Sequence, residues 1–218
     1  MQNSKSYSLI VTLTVTFCLL LGSLFVVDNA DAAQQRRSKR KSAATAAKPA
    51  DPRKRTTVQT LTVNVGTKKN AVELLYLNSP WGQTTFGYLE EGGSDYYSNR
   101  TWPFAHLKIH TKASYEGKSI EPGDYILYIT PKNESNKQMS ISLASFKLEA
   151  NKKTFLVNGD VFTETPENID VLTTKPVTFA KGAELINSLK IELTASGSDV
   201  NINMHYGDRT LTEKLTVN

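Results

Sequence analysis

The chain has 218 residues, a formal net charge of +5 and a single cysteine, Cys18. Cys18 lies in an apolar N-terminal run, so residues 34–218 contain no thiol. That part of the chain therefore has no disulfide, cysteine nucleophile or thiolate metal site. A domain without disulfides must be stabilised by its hydrophobic core.

Residues 1–33 have the features of a secretory signal peptide. Lys5 precedes an apolar run from Leu9 to Val27, and Ala30-Asp31-Ala32 supplies a small-x-small cleavage pattern. An uncleaved membrane anchor is the alternative, since about 19 mostly apolar residues are long enough to span a bilayer. We expect an exported protein that is found in the periplasm, at the cell surface or outside the cell.

Residues 34–56 predict a disordered basic linker. They contain nine Lys or Arg residues, one Asp and no large apolar residue, which gives a net charge of +8. From Thr57 onward, 16 basic residues face 18 acidic ones, so the chain's basic character belongs to the linker and does not indicate nucleic-acid binding. Residues 36–55 favour contact with anionic envelope polymers or lipid headgroups, and a solvated spacer is the alternative.

Residues 57–218 predict one all-β domain. Short runs of alternating apolar and polar residues, rich in Val, Ile, Thr and Tyr, are separated by turn pairs such as Pro122-Gly123 and Asn158-Gly159. This pattern is typical of an antiparallel β-sandwich or flattened barrel of about 8–10 strands. A short helix is expected at residues 181–188. The predicted strands are 57–65, 71–77, 124–130, 138–148, 153–157, 177–180, 189–194, 200–206 and 210–217.

Residues 102–113 (WPFAHLKIHTKA) hold two of the three histidines, His106 and His110. On a helix these imidazoles would lie on one face at chelating distance, and on a strand they would not. Pro103 suits the first position of a helix, while residues 105–110 alternate as a strand does. The local pattern leaves both structures open.

Residues 105–131 (AHLKIHTKASYEGKSIEPGDYILYITP) resemble the central block of an exported bacterial family, the domain of unknown function 2911 family. Glu116-Gly117-Lys118 occupies the family's turn, Pro122-Gly123-Asp124-Tyr125 opens its next strand, and Pro131 ends it. The resemblance extends over about residues 70–218. The family's Trp-Arg-x-Gly-Ala-Asn segment is shortened here to Trp102-Pro103-Phe104-Ala105.

The resemblance implies that residues 105–115 form a strand. His106 and His110 would then be separated by about 13 Å along the chain, whereas two nitrogen ligands lie about 2 Å from a shared metal. We therefore expect no metal site and no cofactor. The two histidines share a face with Lys108 and Lys112, which favours a solvent-exposed polar face.

Catalytic motifs are scarce in this sequence. There is no Gly-x-Ser-x-Gly elbow, P-loop or dinucleotide-binding glycine pattern. His205, with Asp208 three residues later, and His106 are the candidate bases of a hydrolase acting on envelope polymers or saccharides. A structural histidine at a hairpin end is the alternative for His205.

The best binding candidate is the aromatic loop of residues 94–104 (SDYYSNRTWPF). Aromatic faces with polar anchors suit sugars or peptides, and the alternative is that these rings cap the end of the sandwich. We expect an exported, non-catalytic β-sandwich that binds or scaffolds in the cell envelope, and a hydrolase is the alternative. The predicted ligand-binding residues are Tyr96, Tyr97, Arg100, Trp102 and Trp81.

Overall fold

Two antiparallel β-sheets make up most of the structure. The computed structural model describes residues 56–92, 100–160, 163–182 and 184–218, so the predicted signal peptide and nearly all of the predicted linker lie outside the described residues. These residues form one helix, α1 (Gln83–Glu91), and twelve strands. The strands are β1 (Val58–Val65), β2 (Lys68–Leu77), β3 (Trp102–Ile109), β4 (Ala113–Tyr115), β5 (Lys118–Ile120), β6 (Gly123–Thr130), β7 (Ser140–Ser145), β8 (Asp170–Pro176), β9 (Ala180–Lys181), β10 (Lys190–Ser196), β11 (Asp199–Tyr206) and β12 (Arg209–Val217).

The strand order confirms the predicted all-β sandwich. The first sheet has the order β1-β2-β3-β6-β7-β8, and the second has the order β10-β11-β12-β4-β5 with β9 paired to β12. Every pairing is antiparallel, and neither sheet closes on itself to form a barrel.

The helix prediction is wrong in its position. The described residues of 181–188 contain no helix, whereas residues 83–91 (QTTFGYLEE) form α1. That sequence has a central glycine and two threonines, which disfavour a helix. Phe86 and Leu89 are buried in the core and supply the stabilisation, because short helices depend on tertiary packing more than on propensity.

Two strand predictions are also wrong. Residues 153–157 form no strand, and of residues 177–180 only Ala180 joins a strand, β9. The edge strand β8 was not predicted, because its sequence DVLTTKP alternates poorly. The apolar residues of 153–157 are buried by covering a sheet instead of by pairing within one.

A β-bulge sets the side-chain directions in β3. Pro103 pairs with Tyr128 and Ala105 pairs with Leu127, which leaves Phe104 as an extra residue. A bulge of this kind shifts the alternation of the strand by one residue. Trp102 and Phe104 therefore both join the core between the sheets, while His106 lies on the opposite face.

The outer face of the first sheet is buried as well. Leu75, His106, Ile126 and Ala144 lie opposite one another on β2, β3, β6 and β7, and all are buried. The connection between β7 and β8, described over residues 146–160 and 163–169, crosses this face, and we call it the cover segment. Among these described residues, Phe146, Phe155, Leu156 and Ile169 make apolar contacts with the outer face.

The β11–β12 turn gives the first testable prediction. Gly207 (φ +63°) lies under the Trp81 ring, where a Cβ atom would overlap the indole, whereas Gly197 (φ +62°) has open space at that position. Gly197→Ala should lower the free energy of unfolding by only about 1–2 kcal/mol, because alanine is strained in the left-handed backbone conformation. Gly207→Ala should lower it by about 1–3 kcal/mol more, because the added methyl group overpacks against Trp81. Urea unfolding measures both, and equal losses would contradict the packing of Trp81 on Gly207.

Candidate functional site

The imidazole of His106 is fully buried beneath the cover segment. Its exposed fraction is 0 %, and its ring centroid lies 5.0 Å from that of Phe146 and 5.6 Å from that of Phe155. The strand predicted over residues 105–115 is confirmed for 105–109, which lie in β3, whereas residues 113–115 form β4 in the second sheet. The prediction of a solvent-exposed face is wrong for His106. The cover segment, which the local sequence does not reveal, excludes water there. His110 follows β3 and is 50 % exposed.

Both nitrogens of His106 are hydrogen-bonded. Nε2 lies 2.8 Å from Oδ1 of Asp124, and Nδ1 lies 3.0 Å from Oγ1 of Thr154. An ionised carboxylate can only accept, so Nε2–H is the donor to Asp124 and, in the neutral ring, Nδ1 accepts from the Thr154 hydroxyl. Thr154 Oγ1 accepts in turn from the Leu156 N–H at 3.2 Å. This hydrogen-bond chain ties the cover segment to β3 and β6.

The neutral state of His106 follows from its surroundings. Burial lowers the pKa of His106 below its ordinary value of 6.5, and the hydrogen bond and charge of Asp124 offset this only in part. Lys108 also lowers this pKa and Glu73 raises it. The ring is therefore neutral at neutral pH, which is the state in which Nδ1 accepts a hydrogen bond from the Thr154 hydroxyl.

An open cleft of about 740 Å³ lies along the cover segment. This volume is within the range of small-ligand and peptide sites. The rings of Phe146 and Phe155, which also contact His106, form part of its wall. We call it the acidic cleft, because its lining has four carboxylates and two lysines. The lining residues are Phe146, Lys147, Leu148, Glu149, Lys152, Phe155, Asp160, Thr163, Glu164, Pro166, Glu167 and Asn168.

Several charged and polar groups of the acidic cleft have no partner among the described residues. Lys152 pairs with Glu149 at 2.8 Å. Asp160, Glu164 and Glu167 form no ion pair with the cations that the structure describes. The hydroxyl oxygen of Thr163 is buried and has no hydrogen-bond partner among the described residues. A buried polar atom without a partner needs an explanation, and a group bound in the cleft would supply one. The cleft therefore offers carboxylates, one spare hydroxyl and aromatic faces.

The two tryptophans of the predicted aromatic-loop site pack in or against the core. Trp102 is only 7 % exposed and packs 5.2 Å from Tyr206 in the core, which does not favour the prediction that it binds ligand. The bulge at Phe104 is the reason for its inward direction. Trp81 is partly buried and meets Tyr206 edge-on at 4.8 Å. For both tryptophans the structure favours the alternative, in which the rings pack at the end of the core.

Of the other three predicted site residues, the structure describes only Arg100. Arg100 is exposed and lies two residues before β3. Tyr96 and Tyr97 lie outside the described residues, so the part of the prediction that rests on them stays a prediction.

His205 has a structural partner. Its Nε2 donates to the carbonyl of Glu184 at 2.9 Å, and Asp208 pairs with Arg209 at 3.0 Å. The proposed acid–base pair of His205 and Asp208 is therefore replaced by two other contacts. His205 lines a smaller depression, about 240 Å³, on the outer face of the second sheet.

A second polar cluster joins β8, an edge strand of the first sheet, to β12 and β4 of the second sheet. Glu213 is 3 % exposed, accepts a hydrogen bond from the Tyr115 hydroxyl at 2.5 Å and pairs with Lys175 at 2.8 Å. Burial alone would lower the pKa of Lys175, but its hydrogen bonds to Glu116 and Glu213 raise it above the ordinary value. Burial and Glu213 also raise the pKa of Tyr115. This cluster is fully paired, so we regard it as structural.

Sequence reasoning missed Asp124, Thr154 and the acidic cleft. Asp124 and Thr154 lie 18 and 48 residues from His106 in the sequence, and only the sheet pairing and the cover segment bring them together. The available signal was the excess of Asp and Glu in residues 149–167, which a strand-by-strand reading does not weigh.

Comparisons with known proteins identify no relative: no family model, curated protein or solved structure matches this chain. Within the described ranges, no three His, Cys, Asp or Glu side chains are placed to hold a metal ion. No helix in the described part of the chain is long and apolar enough to cross a membrane.

The hydrogen-bond chain predicts a specific loss of stability. Thr154→Val keeps the shape of the side chain but leaves Nδ1 of His106 and the Leu156 N–H without their partner. We expect a loss of about 1–3 kcal/mol in the free energy of unfolding. Thr154→Ser keeps the hydroxyl and should lose less than about 1 kcal/mol. Equal losses in urea unfolding would show that the hydroxyl is not the anchor.

His106 also predicts a pH dependence. Since burial lowers its pKa, the unfolded chain binds a proton at pH values where the folded chain does not. The free energy of unfolding should fall as the pH drops below about 6.5, by up to about 1.4 kcal/mol per pH unit, until the folded pKa is reached. His106→Gln should remove this component. The free energy of unfolding is measured at pH 7.5 and 5.5 for the wild type and for His106→Gln. The same difference between the two pH values in both proteins would refute the prediction.

Proposed function

We propose that this protein is exported and acts in the cell envelope, or outside the cell, as a non-catalytic binding module whose ligand site is the acidic cleft. The signal-peptide pattern of residues 1–33 and the resemblance to an exported bacterial family support the export. The binding role rests chiefly on the unpaired carboxylates Asp160, Glu164 and Glu167 in an open cleft.

The ligand class that fits best is a peptide with alternating cationic and apolar side chains. The carboxylates supply partners for amines or guanidinium groups, and the Phe146 and Phe155 rings supply apolar contact. The Thr163 hydroxyl adds a partner for a peptide N–H or C=O group. A glycan fits less well, because the ring expected to serve as a sugar platform, Trp102, is in the core.

The strength of this binding follows from the openness of the cleft. Each solvent-exposed ion pair contributes about 0.2–1 kcal/mol and is screened by salt. The affinity must therefore come from several carboxylates acting together with the aromatic wall. Binding should accordingly weaken as ionic strength rises.

A matched pair of variants tests this proposal. The probe is the acetylated peptide Lys-Leu-Lys-Leu-Lys-Leu, and its affinity is measured by calorimetry at low ionic strength. Changing Asp160→Asn, Glu164→Gln and Glu167→Gln together should raise Kd at least about tenfold, or 1.4 kcal/mol. The control changes Glu91, Glu134 and Glu184 to Gln, which are exposed and outside the cleft. Equal affinities of the two triple variants would refute the cleft as the site.

One observation favours the hydrolase as a second candidate. Thr154, His106 and Asp124 connect a hydroxyl, an imidazole and a carboxylate in the order nucleophile, base and orienting group. The buried ring and the two phenylalanines over it exclude substrate from His106 itself, which is why binding is preferred.

An assay for substrate turnover distinguishes the binding module from the hydrolase. The protein is incubated with peptidoglycan fragments and oligosaccharides, and the products are analysed by mass spectrometry. The binding proposal predicts no product from any variant. Cleavage that is kept by Thr154→Ser and abolished by Thr154→Val would instead establish the hydrolase.

A further inference from the structure

We infer that the chain's own basic triplet, Arg53-Lys54-Arg55, docks in the acidic cleft and competes there with external cationic peptides. The competition rests on the proposed function of the cleft, and the docking itself is separable from it. The triplet is the sequence immediately before the first described residue, Thr56.

The anchoring of Thr56 places the first described residue beside the acidic cleft. Thr56 is 2 % exposed, and its carbonyl accepts a hydrogen bond from the Gly159 N–H at 2.8 Å. Two residues later, the Val58 N–H donates to Oδ1 of Asn158 at 2.7 Å. The next residue after Gly159 is Asp160, which lines the cleft. The described chain therefore begins close to Asp160, one of the unpaired carboxylates.

Charge and reach match at this edge. The triplet has three positive charges, and the cleft has three carboxylates, Asp160, Glu164 and Glu167, that pair with none of the described cations. Consecutive Cα atoms are about 3.8 Å apart. Arg55 is next to Thr56 in the chain, Asp160 is next to Gly159, and Thr56 and Gly159 are hydrogen-bonded to each other. Three residues span at most about 11 Å, which keeps the whole triplet within reach of the cleft.

The tether makes this contact competitive with a free ligand. A segment linked directly to the edge of its site has an effective concentration in the millimolar range. Ion pairs that are individually weak then suffice to occupy the cleft against a free peptide at micromolar concentration. The triplet should therefore lower the apparent affinity of the cleft for external cationic peptides.

Zero-length crosslinking of the purified protein tests the docking. A carbodiimide joins a lysine amine to a carboxylate at ion-pair distance, and peptide mass spectrometry locates the bond. We expect Lys54 to be linked to Asp160, Glu164 or Glu167, with a yield that falls at least about fivefold in 0.5 M NaCl because of screening. An equal yield of links to the control carboxylates Glu91, Glu134 and Glu184 would overturn the inference.

Mixing isotopically labelled and unlabelled protein identifies the chain that provides the triplet. The inference predicts links within one chain only. Links between heavy and light chains in the proportion of random pairing would show that a second copy occupies the cleft, and would overturn docking in the same chain.

Neutralising the triplet separates this inference from the proposed function. Arg53→Gln, Lys54→Gln and Arg55→Gln together should lower the Kd for the Lys-Leu peptide at least about fivefold. The control Arg36→Gln, Arg37→Gln and Lys39→Gln removes the same charge farther from Thr56 and should change Kd less. Peptide binding that both variants leave unchanged would overturn the competition while the proposed function stands. Lys54 crosslinks without any peptide binding would support docking and refute the proposed function.

Discussion

Burying a histidine under a connecting segment requires partners for both ring nitrogens, and this requirement organises the outer face of the first sheet. An unsatisfied buried nitrogen would cost about 1–3 kcal/mol. Asp124 on β6 satisfies Nε2, and Thr154 on the cover segment satisfies Nδ1. The cover segment cannot lift from the sheet without breaking this chain and exposing Phe155. The walls of the acidic cleft, which belong to the same segment, therefore have a fixed base.

Paired and unpaired charges are separated in this fold. Glu213, which lies between the sheets, is held by Lys175 and Tyr115, as a buried carboxylate must be. Asp160, Glu164 and Glu167 of the acidic cleft are exposed to solvent and can remain without partners at little cost. These unpaired carboxylates contribute little to folding, so they are available to a cationic ligand. This availability is the physical basis of the proposed binding role.

The sandwich could be predicted from the sequence because alternation with period two is a local signal. The face of His106 was predicted correctly by the same alternation, since His106 and Lys108 do lie on one side of β3. Its burial could not be predicted, because the cover segment that shields it begins 40 residues later in the chain. The inward direction of Trp102 depends on the bulge at Phe104, where a single extra residue reverses the local pattern.

The acidic cleft was harder to predict than the fold, because irregular backbone has no periodic pattern. KTFLV in residues 153–157 has the composition of a strand, but its apolar residues are satisfied by packing on Ile126, Leu75 and their neighbours. The positions of the carboxylates of residues 149–167 depend on that packing. The cleft is thus a product of tertiary structure.

A backbone chemical-shift map of isotopically labelled protein, titrated with the Lys-Leu peptide, tests the central claim most directly. The account predicts that the largest shifts fall on the described residues of the cover segment, with Phe155, Asp160 and Thr163 among them. Shifts confined to the outer face of the second sheet around His205 would contradict it, as would a titration that moves no residue of the acidic cleft.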